Sequence, residues 1–404
     1  MHILFISDNF PPEVNAPALR TFEHCTEWVK LGHKVTVITC APNFPAGKVF
    51  NGYKNKIWQV DNLNGINVCR VWTYIAPNEK FFKRSVDYLS FMVTSFIASI
   101  FIRKVDIIIG TSPQIFTACS AFLVGILKKK PWIFELRDLW PESIKAVGAV
   151  RNKRLLKSLE KMEMFLYRKS TAIVSVTHSF KANLVQRGIN GDKIFVITNG
   201  VNLDTYGVRS RSNTLLETYN LKDRFVVGYI GTIGLAHSLD IILNFADKNR
   251  DKTQYVFLII GEGADKKRLL EIKNKKKIEN VVFINSVSRN EIVDYWAILD
   301  ASLVHLKKTD LFKTVIPSKI FEAMASATPI LLGVNGEAND IIIETKTGLF
   351  FEPENVNDLA KKLNSLANNK KLYSYLANNG PKTAEEYNRK VLAKKMLEVI
   401  EMHA

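Results

Sequence analysis

Two series of short apolar runs, one in each half of the chain, constrain the fold more than any other feature. The runs in the first half lie at residues 3–6, 35–38, 107–109, 132–135, 172–176 and 194–197. The series restarts in the second half, at residues 225–230, 255–260, 281–284, 301–305 and 329–332. Segments with helical spacing separate most of these runs, which is typical of βαβ units with parallel strands. The sequence therefore predicts an α/β fold of two Rossmann-like, doubly wound domains.

The length of 404 residues suits two domains of ordinary size. We place the boundary near residues 199–202, so that residues 1–200 form the first domain and residues 201–385 the second. A last helix, at about 386–404, is expected to pack back on the first domain. Because ligands bind beyond the carboxyl ends of the strands in such sheets, we expect the two domains to face each other across a cleft.

Positive charge is concentrated in the first half. Residues 1–200 contain 27 Lys and Arg against 14 Asp and Glu, whereas the rest of the chain contains 29 against 25. Such a basic half attracts phosphate groups of nucleic acid, anionic lipid or a diphosphate substrate. A lysine-rich genome is an alternative explanation, but it should affect both halves alike. No recognisable nucleic-acid-binding module is present, so we expect an anionic membrane surface or a diphosphate as partner, and no nucleic acid.

The cysteines and the N-terminal segment indicate a cytoplasmic protein. Cys25, Cys40, Cys69 and Cys119 form no CxxC pair, and we expect buried thiols in a reducing compartment. Asp8 follows the first apolar run closely, which leaves that run shorter than the ~7–15 residues at the core of a signal peptide.

Residues 88–102 form the most apolar stretch of the chain. They carry no charged side chain and are flanked by basic pairs at 83–84 and 103–104. A membrane-spanning helix needs about 20 apolar residues, which makes this stretch short for one. The alternatives are a buried core helix, an interfacial helix whose basic ends meet anionic headgroups, and a spanning helix. The interfacial helix is our preferred functional interpretation, and it predicts peripheral association with the inner face of the plasma membrane.

Three loops after strands of the second half carry candidate ligand-binding residues. Two are rich in glycine, which lets the backbone approach a phosphate at the start of a helix. In the third, a lysine and a glutamate three residues apart share one helical face, suited to an anion and a ribose diol. A plain strand-to-helix turn and a surface ion pair are the alternatives. The candidates are Gly231, Thr232, Gly234, His237, Gly261, Glu262, Gly263, Pro317, Ser318, Lys319 and Glu322.

The first half offers candidate catalytic residues after the run at 132–135. Asp138 could orient or deprotonate a hydroxyl, and Arg137 could hold a phosphate or the carboxylate. Alternatively, Asp138 caps the turn before Pro141 and pairs with Arg137, and both possibilities remain open. The seven histidines show no metal-ligand spacing, and no metal site is expected. The early loop adds three candidates for the acceptor side, namely Pro12, Glu13 and Asn15.

Several segments, in their order along the chain, resemble glycosyltransferase family 4. They are GHKVTVIT at 32–39, NGVN at 199–202, GEG at 261–263 and FEAMA at 321–325. Residues 134–143 and 317–319 resemble a narrower branch that includes the WbuB-type N-acetyl-L-fucosaminyl transferases of bacterial O-antigen and capsule assembly.

This resemblance implies a GT-B fold, a UDP-sugar donor bound by the second domain, retention of anomeric configuration, and no metal cofactor. It places Arg137 and Asp138 beside the reacting sugar. The branch resemblance implies an N-acetylated deoxyhexose as the donor sugar. A basic half with an apolar helix suits an anionic lipid, so the expected acceptor is an undecaprenyl-diphosphate-linked sugar.

The chain departs from the family pattern at two places. Family members commonly carry a Glu-x7-Glu pair, of which Glu322 is the second member, but Thr314 stands at the first position. Recognition of the donor sugar must therefore differ. The Arg and Lys that usually follow the strand ending at Ile230 are also missing. We expect the positive charge to come instead from Lys319, from Arg289, and from Lys307 or Lys313.

Two other functions remain as alternatives. Non-hydrolysing UDP-N-acetylglucosamine 2-epimerases also contain two Rossmann-like domains, although they are acidic where this chain is basic. A non-catalytic basic module that binds nucleic acid or a membrane is the second alternative.

Overall fold

A computed structural model describes residues 1–44, 47–75, 81–146 and 152–404. The chain forms two compact units, one of Met1–Thr198 with Arg389–Ala404 and the other of Asn199–Asn388. Each unit contains a largely parallel sheet with helices connecting its strands, so the predicted fold of two parallel-sheet α/β domains is confirmed.

Within the described residues, the sheet of unit 1 has eight strands in the order β3-β4-β2-β1-β5-β6-β7-β8. Its neighbouring strands are parallel except β3 and β4, which form an antiparallel hairpin at the edge. The strands are β1 (His2–Ile6), β2 (Lys34–Cys40), β3 (Trp58–Leu63), β4 (Ile66–Val71), β5 (Ile107–Thr111), β6 (Trp132–Leu136), β7 (Ala172–Ser175) and β8 (Ile194–Val196). The central strands are buried throughout, as expected for strands covered on both faces.

The hairpin of β3 and β4 is missing from the prediction made on the sequence. Leu63 pairs with Ile66, so the connection consists of Asn64 and Gly65 alone. Both residues have positive φ, 52° and 83°, as a type I′ turn requires. An Asn-Gly pair between two apolar segments is the sequence signal that would have revealed this hairpin.

In the described part of unit 1, six helices connect the strands. They are α1 (Ala16–Lys30), α2 (Phe81–Phe101), α3 (Ile115–Lys128), α4 (Trp140–Ala146), α5 (Lys153–Lys169) and α6 (His178–Gln186). The side chain of Asn15 accepts a hydrogen bond from the Ala18 amide and so caps α1. The four cysteines are free; Cys119 is half-buried and the other three are buried.

Helix α2 contains the apolar stretch 88–102 and has two different sides. Phe91, Ser95 and Ala98 are buried in unit 1, and the Ser95 hydroxyl lies 2.9 Å from that of Ser120 on α3. Other apolar side chains of α2, such as Ile97, are about half exposed. The stretch is therefore partly core, as one alternative held. Within the described residues, no helix has the length and apolar character needed to span a bilayer.

Unit 2 contains six parallel strands in the order β11-β10-β9-β12-β13-β14. The strands are β9 (Phe225–Ile230), β10 (Tyr255–Ile260), β11 (Val281–Ile284), β12 (Ala301–His305), β13 (Ile330–Gly333) and β14 (Gly348–Phe350). The helices are α7 (Asn213–Thr218), α8 (Asp240–Lys248), α9 (Lys266–Lys275), α10 (Ile292–Ile298), α11 (Lys319–Ala325), α12 (Glu337–Thr345), α13 (Val356–Asn368) and α14 (Lys370–Ala384). This strand order is that of a Rossmann-like, doubly wound sheet.

Alternate residues of the same strands build two separate apolar cores in unit 2. Val256 and Leu258 of β10 belong to the core on one face of the sheet. Phe257 and Ile259 belong to the core on the other. Helices therefore cover both faces of the sheet, and its exposed parts are the ends of the strands with their loops.

The last helix, α15 (Arg389–Glu401), packs against α1 as part of unit 1. The indole N–H of Trp28 donates to the Ala393 carbonyl at 2.8 Å. The guanidinium of Arg389 pairs with Glu23 at 2.6 Å, and both side chains are largely buried. These contacts tie the end of the chain to the unit in which the chain begins.

Candidate functional site

The order of strands reverses direction once in each sheet, between β1 and β5 in unit 1 and between β9 and β12 in unit 2. In doubly wound folds, ligands bind beyond the carboxyl ends of the strands at such a reversal. In unit 2 the loop at residues 231–238 follows β9 directly, and the loop that leads into α11 follows β12. The candidate site of each unit is built from loops of this kind.

The two glycine-rich loops of unit 2 lie against each other. The Ile233 amide donates to the Glu262 carbonyl at 2.8 Å. A Cβ atom at Gly261 would overlap the carbonyl oxygen of Gly231, and one at Gly263 would overlap that of Ile233. Both glycines also have positive φ, 145° and 159°. Contact between the two loops is therefore a physical reason for these glycines that the sequence analysis did not anticipate.

Lys319, the first residue of α11, reaches back over the loop after β9. Its Nζ lies 3.5 Å from the centroid of the Tyr229 ring. A Cβ at Gly231 would lie only 3.1 Å from the same nitrogen. Among the described residues, this buried nitrogen has no hydrogen-bond partner. Burial lowers the pKa of Lys319 to about 7, against the opposing effect of the Glu322 carboxylate. The amine is thus buried and lacks a hydrogen-bond acceptor within the described part of the chain.

The Tyr229 ring lies beneath this amine. Tyr229 was not among the candidate residues selected from the sequence. Its hydroxyl donates to the Thr232 carbonyl at 2.6 Å, which ties the ring to the loop. The His237 ring lies against it, with ring centroids 5.9 Å apart. Burial, with a contribution from nearby Lys319, lowers the pKa of His237 to about 3. His237 is therefore neutral at physiological pH and supplies no charge here.

Lys266 is a second cation beside the glycine loops that the sequence analysis missed. Its Nζ donates to the Glu262 carboxylate at 2.7 Å, to the Gly261 carbonyl at 3.1 Å and to Asn285 at 2.7 Å. Its position, just after the Gly-Glu-Gly segment in the first turn of a helix, is the sequence signal for it. Glu262 thus holds this lysine on the loop.

The remaining donor-side candidates have the following positions. Arg289 lies on the loop after β11, with its guanidinium 3.5 Å from the Thr205 hydroxyl. Pro317 and Ser318 form the entry to α11, where the Pro317 carbonyl accepts from the Ile320 amide. The amide of Lys307 donates to the Ala236 carbonyl. The ammonium of Lys313 pairs with exposed Asp310 at 2.8 Å.

In unit 1, Arg137 is held by carbonyl groups from another loop. Its guanidinium donates to Pro17 at 3.2 Å and to Ala16 at 3.1 Å, and it lies 3.9 Å from Glu135. Burial lowers the pKa of Arg137 to about 10, against the opposing effect of Glu135. Glu135 also pairs with Arg20 at 2.9 Å. The acidic side chain beside Arg137 is therefore Glu135, whereas the sequence had suggested Asp138 as its partner.

Asp138 lies at the start of α4. The Ser143 hydroxyl and the Leu139 amide lie near its carboxylate and favour the ionised form. Burial outweighs this effect and raises the pKa of Asp138 to about 6. Such contacts are expected if Asp138 caps the turn at the start of α4. The carboxylate is mostly ionised at pH 7, as the catalytic alternative requires, and that role stays a prediction.

Glu13 is the member of the early loop with an oxygen to spare. One oxygen accepts from the amides of Asn43 and Phe44, each at 2.8 Å. The other oxygen is buried and has no partner among the described residues. Burial raises the pKa of Glu13 to about 7. Of its neighbours, Pro12 is exposed and Asn15 caps α1.

Across the described residues, no group of three or more His, Cys, Asp or Glu side chains could hold a metal ion.

Two family models match the chain, one for each unit. Residues 18–205 match the model described as Glycosyltransferase Family 4. Residues 214–383 match the model described as Glycosyl transferases group 1. The putative colanic acid biosynthesis glycosyl transferase WcaI of Escherichia coli (strain K12) is 24% identical over 335 residues, which cover 80% of this chain and 81% of WcaI. Three further relatives are matched over only 49–56% of their own length.

Solved structures with low sequence identity share the fold along the whole chain. Sucrose-phosphate synthase from Thermosynechococcus elongatus has a TM-score of 0.77 at 16% identity, with 100% of this chain and 98% of that one covered. The Anabaena protein HepE in complex with UDP and glucose has a TM-score of 0.74 at 15% identity, with 99% of each chain covered. These similarities assign the GT-B architecture.

Proposed function

The chain belongs to the GT-B glycosyltransferases of family 4, and we propose that it transfers a sugar from a UDP-linked donor to a lipid-diphosphate-linked saccharide with retention of configuration. WcaI is named for colanic acid, which supports a role in building a bacterial surface polysaccharide such as capsule or O-antigen. The branch resemblance supports an N-acetylated deoxyhexose, such as N-acetyl-L-fucosamine, as the transferred sugar. Both matched models describe glycosyltransferases, which favours transfer over the epimerase and non-catalytic alternatives.

The buried amine of Lys319 is the observation that carries the donor side of this proposal. Its nitrogen lies against the backbone of Gly231 and has no hydrogen-bond partner in the described part of the chain. A buried ammonium without an acceptor is costly, and diphosphate oxygens would supply what it lacks. HepE is described in complex with UDP and glucose, which supports UDP as the nucleotide.

Protein groups alone would stabilise the leaving diphosphate under this proposal. Lys319 supplies a cation at the loop after β9, and Lys266 supplies another at the loop after β10. Cations already in place, in a site that excludes water, stabilise developing charge without reorganisation. Glu322, three residues after Lys319 on α11, would accept hydrogen bonds from the ribose diol. A metal ion is not required by this arrangement.

The acceptor side would be formed by loops of unit 1. Asp138 would orient the acceptor hydroxyl, and the spare oxygen of Glu13 would accept a hydrogen bond from an acceptor sugar. Residues 1–200 carry the larger excess of positive charge. That excess suits an acceptor whose diphosphate is attached to undecaprenol.

Unit 1 also has an exposed apolar face that suits peripheral binding to a membrane. On α2 the exposed side chains follow helical spacing at Leu89, Val93, Ile97, Ile100 and Phe101. The exposed Trp58 ring of β3 extends this face, with its centroid 6.0 Å from that of Phe101. Basic residues surround the end of α2, namely Arg103, Lys104, Lys128, Lys129 and Lys130. Apolar side chains with a basic rim are typical of contact with anionic lipid.

The activity is tested with a panel of UDP-sugars and an undecaprenyl-diphosphate GlcNAc acceptor, with products read by mass spectrometry. We expect one N-acetylated sugar to be added, with the anomeric configuration retained, and equal rates with and without EDTA. Glu322→Ala should reduce transfer at least tenfold, because a charge-assisted hydrogen bond is lost. Glu271→Ala, on the neighbouring helix α9, is the matched control. Loss of activity in EDTA, restored by magnesium or manganese, would contradict the metal-free proposal.

Membrane binding is tested by sedimentation with vesicles of neutral lipid, alone or with anionic lipid added. Ile97→Asp should abolish binding to the anionic vesicles, because it places a charge within the apolar face. Ile343→Asp changes an equally apolar, exposed residue of unit 2 and should leave binding unaltered. Equal binding of both variants and the native protein would refute the assigned face.

A further inference from the structure

We propose that Tyr229 is a positioning residue for the donor diphosphate, whose ring stays beneath the Lys319 amine while phosphate oxygens reach that amine from the side of Gly231. This inference rests on the proposed function, because the anion in question is the diphosphate of the donor. It assigns a role to a core aromatic residue that neither the loop motifs nor the charged candidates include.

The ring of Tyr229 is fixed in place. The side chain is 1% exposed. Its hydroxyl donates to the Thr232 carbonyl at 2.6 Å, so the phenol is anchored at its far end to the loop that it supports. The face of an aromatic ring carries negative electrostatic potential and attracts an ammonium within about 6 Å. At 3.5 Å the Lys319 nitrogen is well inside that range.

We assign the ligand to the side of the amine that lies next to Gly231. Gly231 presents bare backbone there, since any Cβ would come within 3.1 Å of the nitrogen. The three N–H donors of Lys319 find no acceptor among the described residues, although the nitrogen is buried. An aromatic ring attracts the charge but does not replace hydrogen bonds to oxygen. The arrangement leaves Lys319 held in position and ready for an anionic acceptor.

The surrounding groups make Lys319 the residue that changes charge near neutral pH. Burial lowers the pKa of Lys319 to about 7, so at pH 8 most of the free protein carries a neutral amine. Burial lowers the pKa of His237 to about 3 and also lowers that of His305 on β12. Burial raises the pKa of Tyr229 well above its ordinary value. Glu322 is the acidic neighbour on the same helix. A diphosphate favours the charged amine, so its binding should take up a proton at pH 8.

Proton uptake is measured by calorimetric titration of UDP into the full-length protein at pH 8, in two buffers with different enthalpies of ionisation. We expect the native protein to take up close to one proton per UDP. Lys319→Met should bind UDP at least tenfold more weakly and without this uptake, which also corrects for any proton taken up by UDP itself. Binding by the native protein with no more proton uptake than the Met variant would overturn the inference.

A double-mutant cycle tests the role of the ring. Tyr229→Met, which fills the core with a flexible apolar side chain, should weaken UDP binding about tenfold. Tyr229→Phe keeps the ring and should stay within about threefold of the native protein. In the Lys319→Met background, Tyr229→Met should have almost no further effect, because its target is gone. Equal weakening in both backgrounds would show that Tyr229 acts only on the general structure.

The outcomes separate this inference from the proposed function. If the native protein does not bind UDP at all, the proposed donor is wrong. If it binds UDP without coupling between Tyr229 and Lys319, only the positioning role fails. Thermal unfolding of each variant accompanies the titrations, and if Tyr229→Met does not fold, Tyr229→Leu takes its place in the cycle.

Discussion

Arg137 and Lys319 are both buried basic side chains at the loop ends of their sheets, but their hydrogen-bond surroundings differ. Arg137 in unit 1 donates to the carbonyls of Ala16 and Pro17 and lies near Glu135. Lys319 in unit 2 rests on an aromatic ring, and no hydrogen-bond acceptor for its nitrogen is found in the described residues.

This difference separates a charge that maintains structure from one that awaits a ligand. Removing a buried cation that donates hydrogen bonds to protein groups is destabilising, because those groups are left without compensation. Removing a buried amine that has no hydrogen-bond acceptor among the described residues removes a cost. The two residues should therefore give opposite results when stability and activity are measured side by side.

The largest effect is expected for Lys319→Met on activity. Transfer efficiency, kcat/KM, should fall about 10²–10³-fold, as when a preorganised group that stabilises developing charge is lost. The midpoint of thermal unfolding should stay constant or rise, because a buried, unpartnered amine is replaced by an apolar side chain. Lys267→Met, at an exposed position on α9, is the control and should change neither quantity. A stable variant with full activity would remove Lys319 from the donor site.

The next largest effect is expected for Arg137→Met on stability. The half-buried Pro17 and the exposed Ala16 would lose a donor to their carbonyls, and Glu135 would lose an adjacent opposite charge, so the free energy of unfolding should fall by about 2 kcal/mol. Urea unfolding followed by circular dichroism measures this change, with exposed Arg154→Met on α5 as the control. A loss no greater than that of the control would break the contrast with Lys319.

Asp138→Asn distinguishes capping from catalysis within unit 1. Asparagine keeps a side-chain oxygen near Leu139 and Ser143, so stability should be preserved. We expect kcat/KM to fall about tenfold, because the negative charge that orients the acceptor hydroxyl is gone. If the Asn variant transfers sugar at the native rate, Asp138 serves only as the cap of α4.

The smallest effect concerns Glu13 and the pH dependence of stability. Burial raises the pKa of Glu13 to about 7, so the folded protein holds a proton that the unfolded chain releases near its ordinary pKa. Protonation therefore favours the folded state, and this contribution is lost as pH rises from about 4.5 to about 7. Glu13→Gln abolishes that loss and should be more stable than the native protein by about 1 kcal/mol at pH 8. Equal unfolding midpoints of the two proteins from pH 5 to pH 8 would contradict this prediction.

Much of the fold follows from local sequence patterns. The strands predicted at 225–230 and 255–260 have the same bounds as β9 and β10. Long apolar runs predict buried strands because those strands are covered on both faces. Strands β3, β4 and β14 lacked such runs and were missed. β3 and β14 are edge strands, which bury less of their surface, and in β4 the polar residues Asn67 and Arg70 interrupt the apolar ones.

The candidate site was predictable in composition but not in arrangement. The glycine loops, Lys319 and Glu322 were selected because glycine near a helix start and a Lys-Glu pair on one turn are local signals. Tyr229 gave no such signal, because an aromatic residue in a strand is ordinary core.

The sequence by itself determined two doubly wound domains, the positions of their loops, and which charged residues could lie there. Tertiary structure decided which of those charges are satisfied: Arg137 finds a carbonyl 120 residues away, whereas Lys319 meets a ring. Local periodicity reports which face of an element is buried. The hydrogen bonds available to a buried group depend on atoms that only the packing of distant segments brings near.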